Sequence, residues 1–119
     1  MAINDEECLA QFRAGIVQHN TDHPEAKQCI VYNCQNRIET GSWDNQVLCE
    51  EHNLMFLHWF YECDGAKYCP EVFSYPLGER LRKPRGSDKD MNAYRKRYCD
   101  WIASLSSEEY RSILLNQIR

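Results

Sequence analysis

No stretch of the 119-residue sequence approaches the run of about twenty apolar residues that a helix needs to cross a bilayer. The opening Met1-Ala2-Ile3-Asn4-Asp5-Glu6-Glu7 has neither the basic region nor the apolar core of a secretory signal. Repeats, low-complexity tracts and a glycine-rich loop of the kind that cradles phosphate are also missing. No nucleophile–base pair and no paired acids stand out. The expectation is a soluble, cytoplasmic protein that does not contact a membrane and is not an enzyme.

What is present argues for a folded chain. Hydrophobic residues make up 43% and aromatics 12%, too rich a mixture for disorder. The length suits one domain over residues 1–119. Cysteine is plentiful, at positions 8, 29, 34, 49, 63, 69 and 99. An odd count without an export signal fits metal ligation better than a disulfide framework.

The stretch from Cys29 to His52 organises the rest. It reads Cys-x4-Cys, a gap of fourteen residues, then Cys-x2-His. Zinc takes four soft or borderline donors in a tetrahedron, so two short-spaced pairs can each supply half of it. Cys29, Cys34, Cys49 and His52 are the candidate ligands of one structural Zn2+. An apolar run containing Leu54, Met55, Leu57, Trp59 and Phe60 follows the second pair and predicts a helix over 49–62. Cys49 and His52 would then share its first turn. Arg37-Ile38-Glu39 and Gln46-Val47-Leu48 are candidate strands, with a reversal at Thr40-Gly41-Ser42 or Asp44-Asn45.

This pattern resembles a treble-clef zinc finger of the Cys-x4-Cys type over residues 29–61, with the finger segment expected at 29–62. The resemblance implies a knuckle, a β-hairpin and a helix whose first turn carries two ligands. The fold expected is therefore α+β and mostly helical, with the finger packed against N-terminal and C-terminal helices. Small fingers of this sort are common among phage and mobile-element regulators, which implies a regulatory or adaptor role.

Around the finger, Asn4 and Glu7 make a capping-box-like start, and Cys8, Leu9, Phe12 and Ile16 follow at helical spacing, predicting a helix over 5–18. A basic linker spans 79–89. Two helices are expected over 90–119, the second opened by Ser106-Ser107-Glu108-Glu109. Cys63 and Cys69, at the looser Cys-x5-Cys spacing, could join a histidine in a second metal site, or pack as thiols. Asp22-His23 before Pro24 resembles the start of an HNH nuclease motif, although the first cysteine pair follows His23 and His52 is already a ligand candidate.

Charge separates along the chain. Residues 1–79 carry four basic and thirteen acidic side chains, and residues 80–119 carry ten basic and five acidic. No lysine or arginine falls within Cys49–Glu62, so that helix would repel phosphate. Another protein is therefore the first partner expected, with Trp43, Trp59 and Tyr61 as aromatic anchors. Nucleic acid is the alternative, through Arg80, Arg82, Lys83, Arg85, Arg95, Lys96 and Arg97. A divergent metal-dependent nuclease is the third reading.

Overall fold

The architecture comes from a computed structural model that describes residues 4–38, 47–68 and 87–119. Among these residues the chain forms helix α1 (Asp5–Asp22), helix α2 (Glu50–Glu62), a 3-10 turn (Gly65–Tyr68), helix α3 (Ser87–Ser104) and helix α4 (Ser107–Ile118).

Two helices start where their sequence says. The Asn4 side chain accepts the Glu7 amide at 2.8 Å. At α4, Ser106 accepts the Glu109 amide and Glu109 reaches back to the Ser106 amide, both at 3.1 Å, completing the capping box. α1 runs past the expected end at residue 18, since nothing breaks it before Pro24. The first residue of α2 is Glu50, which leaves Cys49 as its extended N-cap.

α2 has apolar residues around most of its circumference, and two cores take them up. On one side Trp59 packs with Tyr94, Tyr98 and Cys99 of α3, with Leu48, and with the Cys29–Cys34 loop. Trp59 lies 5.3 and 5.5 Å, ring centre to ring centre, from Tyr94 and Tyr98. One turn nearer the start of α2, Met55 belongs to a second cluster with Leu9 of α1 and Leu114 and Leu115 of α4. Removing a core side chain of this size costs about 2–5 kcal/mol.

A tight approach closes the C-terminal end of α2. A Cβ added at Gly65 would sit 2.7 Å from a Trp59 ring carbon and 2.8 Å from the Trp59 carbonyl oxygen. Only glycine fits there. The Tyr94 hydroxyl donates to the Gly65 carbonyl at 3.1 Å and ties the 3-10 turn to α3.

β-structure is sparse. Among the described residues there is a single antiparallel bridge, Gln28 with Arg37. Arg37 thus pairs backwards with Gln28, and the Val47 carbonyl accepts the Ile30 amide at 3.0 Å. The candidate strands 37–39 and 46–48 form no hairpin among the described residues, and the reversal between them lies outside those residues.

Candidate metal centre

The first ligand pair sits on a small knuckle. The Gln28–Arg37 bridge, with the Cys29 amide on the Asn36 carbonyl at 2.9 Å, closes its base. The Cys34 amide reaches the Val31 carbonyl at 3.0 Å across a turn in which Asn33 takes φ 62°. Asparagine tolerates that left-handed conformation better than most residues. The Gln28 side chain caps the Cys34 carbonyl at 2.6 Å.

The second pair sits on the start of α2. Cys49 makes no side-chain cap bond to the helix. Its sulfur turns to the cluster, while its carbonyl accepts the Asn53 amide at 2.8 Å. The positive end of the helix dipole then favours the negative charge of a thiolate set.

Together Cys29, Cys34, Cys49 and His52 bring one donor atom each to within 4.8 Å of all the others, and all four residues are buried. Cys34 Sγ is 3.9 Å from Cys49 Sγ. His52 Nδ1 is 3.5 Å from Cys29 Sγ and 3.4 Å from Cys49 Sγ. A regular tetrahedron with Zn–S of about 2.3 Å and Zn–N of about 2.05 Å places sulfurs about 3.8 Å apart and sulfur and nitrogen about 3.6 Å apart. These three separations are close to the corner-to-corner spacings of a zinc tetrahedron. Among the described residues this is the one group with such convergence.

The electrostatics suit a cation. Hydrogen bonds from Cys29 and then Cys49 draw the Cys34 thiol down to about 3. The same sharing with Cys34 and Cys49, together with burial, pushes Cys29 up. One thiolate among crowded thiols is the state that a metal completes by displacing the remaining protons.

Outer contacts hold the ligands from three sides. Asn36 Nδ2 donates to Cys49 Sγ at 3.7 Å. The buried Tyr98 hydroxyl donates a short hydrogen bond to the His52 carbonyl. Next to His52, the buried Glu51 carboxylate accepts Arg13 Nε of α1 at 3.1 Å and the Tyr110 hydroxyl of α4. His19 Nε2 meets the Ile38 carbonyl at 2.9 Å, and Asn20 binds both Asn36 (3.0 Å) and the Arg37 amide (2.7 Å), so α1 braces the knuckle. Such partners orient metal ligands. Sequence reading missed them because they come from distant parts of the chain.

The other predicted residues scatter. Trp59 is 4% exposed, so it is a core residue and no surface anchor, which corrects the expectation. Tyr61 is 72% exposed. Cys63 is exposed and Cys69 lies outside the described residues, as do Trp43, Arg80, Arg82, Lys83 and Arg85. His58, a candidate for a second metal site, stacks on Trp101 at 6.2 Å. Arg95 reaches Asn92 at 3.4 Å, Lys96 pairs with Asp100 at 2.8 Å, and the Arg97 guanidinium lies 3.9 Å over the Tyr68 ring. His23 approaches Glu25 at 3.4 Å.

The fold and site thus define a mostly helical protein with a Cys3His cluster able to hold one metal ion. Set against protein-family models, curated proteins and solved structures, the chain matches none. No helix among the described residues is long and apolar enough to cross a membrane.

Proposed function

We propose that the chain is a non-enzymatic regulatory or adaptor protein, organised by one structural Zn2+ on Cys29, Cys34, Cys49 and His52, and acting by binding another protein. The observation that carries this reading is the convergence of four buried protein donors within 4.8 Å of one another. Four protein ligands leave no open coordination position, the position that catalytic zinc keeps for water or substrate. Bound there, the ion cross-links the knuckle to α2 and supplies folding energy. The regulatory part of the reading is supported by the resemblance to small treble-clef fingers. Protein is favoured over nucleic acid as the partner because α2 presents Glu50 and Glu62 and no cation.

Elemental analysis with native mass measurement tests the metal part, with one zinc per chain expected. Cys49→Ala should leave the protein unfolded or aggregating, because structural zinc contributes about 10–16 kcal/mol, as much as a whole domain's net stability. Metal-free protein that melts like the purified form refutes the site. For the partner, a photo-crosslinker at Tyr61 should trap a protein from the native host that the same probe at the exposed Gln18 does not. Equal trapping at both positions counts against a docking face on α2.

A further inference from the structure

Most arginines of the described chain already have an anionic or polar partner. Arg13 pairs with Glu51, Arg111 with Glu6, Arg119 with Asp5, and Arg95 with Asn92. Arg97 differs. Its guanidinium lies over the Tyr68 ring at 3.9 Å, and Lys67 Nζ approaches the same ring at 5.4 Å. Neither cation has a carboxylate within salt-bridge distance among the described residues.

The arrangement is exposed on every member. Lys67 and Arg97 are exposed, and Tyr68 is 43% exposed. Two like charges held at one aromatic ring repel each other, and an anion bound beside them relieves that repulsion. Next to Arg97 on α3, Lys96 forms an ion pair with Asp100, and Asp100 also accepts the hydroxyl of Tyr32, itself 51% exposed. Arg97 and its neighbour Lys96 thus form a short basic step on α3, with one exposed tyrosine under Arg97 and another on the Asp100 that pairs with Lys96. It lies in the most basic part of the sequence, residues 80–97, with eight basic and two acidic side chains.

We infer that this site binds single-stranded nucleic acid, with Tyr68 holding the Arg97 guanidinium flat as a stacking plane for a base, and Lys67 meeting a flanking phosphate. The chemistry favours this ligand over a bare anion. An aromatic ring that pre-orients a guanidinium offers a flat surface as well as charge, and stacking on arginine planes and tyrosines is how single strands are gripped without reading sequence. Duplex DNA presents no free base faces and gains nothing from the ring. The inference goes beyond protein binding and uses a face distinct from Tyr61 of α2.

The test is fluorescence anisotropy of a labelled oligothymidylate with the full zinc-loaded chain across a salt series. Binding should weaken with salt, with a slope of about 0.7 per phosphate contact on a log–log plot. Arg97→Ala should lower affinity on the order of tenfold and flatten that slope. Tyr68→Ala should lower affinity by a similar factor with the slope nearly kept, while Tyr68→Phe, which preserves the ring, should bind like the parent. Both positions are exposed, and unchanged melting of each variant shows that the loss belongs to the face and not to folding. Equal competition by polyglutamate or duplex DNA would mean generic charge attraction and overturn the inference. So would unchanged affinity of Arg97→Ala, or of Tyr68→Ala.

Discussion

Replacing Tyr98 with phenylalanine removes one oxygen from the contact between α3 and the metal-bearing helix. Tyr98 is 2% exposed, its ring packs 5.3 Å from Phe56 and 5.5 Å from Trp59, and its hydroxyl donates to the His52 carbonyl. Phenylalanine keeps the ring and its packing. The loss is a hydrogen bond to an acceptor that the helical pattern of α2 also uses, so the carbonyl is not left wholly unpaired. A net cost of about 1 kcal/mol follows, with a fall in Tm of about 3–5 °C for a chain of this size. Tyr98→Leu, which also empties the ring's place, should cost about three times as much. Calorimetry in excess zinc reads both, and a chromophoric chelator reads zinc affinity alongside. If Tyr98→Phe melts with the parent, the hydroxyl does not hold α3 to α2 and the account of this contact is wrong. A collapse as deep as that of Tyr98→Leu would refute the division between ring and hydroxyl.

Burial, first of all, raises the Tyr98 and Tyr110 phenols above the ordinary tyrosine value of 10.0, with the Glu51 hydrogen bond adding to the rise at Tyr110. Below that value folded and unfolded chains both hold these protons; above it only the folded chain does, so stability should fall as pH rises from about 9 to about 11. Tyr98→Phe with Tyr110→Phe should flatten that fall, and an unaltered pH profile counts against it. Gly65→Ala forces a methyl against the Trp59 ring and carbonyl, costing about 1–3 kcal/mol by denaturant titration; a neutral result would mean the turn yields freely. Ser106→Ala dismantles the capping box of α4 and should cost about 0.5–2 kcal/mol with zinc content unchanged, which metal analysis and a melting curve check together.

The metal quartet was legible because spacing is local: four residues between one pair and two between the other confine the donors to a knuckle and a helix start. Asn4 with Glu7, and Ser106 with Glu109, were legible for the same reason. Helix α2 announced its double burial through apolar residues around its circumference, yet this also hid the fate of Trp59, which the same composition allows on either face. What the sequence could not display were contacts made over distance. Glu51 reads as an ordinary acid at a helix start, and only the fold brings Arg13 from 38 residues away and Tyr110 from 59. Period-two alternation over three residues is too short to distinguish a strand from an extended link, so the candidate strands 37–39 and 46–48 had little sequence signal behind them. Among the described residues Arg37 pairs with Gln28, and the Val47 carbonyl accepts the Ile30 amide.

The partners of α1 carry a consequence for the order in which the molecule can assemble. Leu9 packs on Leu114 and Leu115, and Glu6 meets Arg111 across 105 positions of chain. The metal donors, by contrast, all lie within 24 consecutive residues, Cys29 to His52. A chain emerging from its N-terminus therefore possesses a complete zinc site, together with the knuckle and α2 groups that Arg13, His19 and Asn20 meet, before α4 is made. Zinc can fix the knuckle and α2 early, at the small entropic cost of a short loop. The first helix to be made is the last to be fully covered, because Leu9 completes its packing only when Leu114 and Leu115 of α4 arrive. Under zinc starvation the template for that final closure would be missing, and nascent chains would expose both ends of the molecule at once.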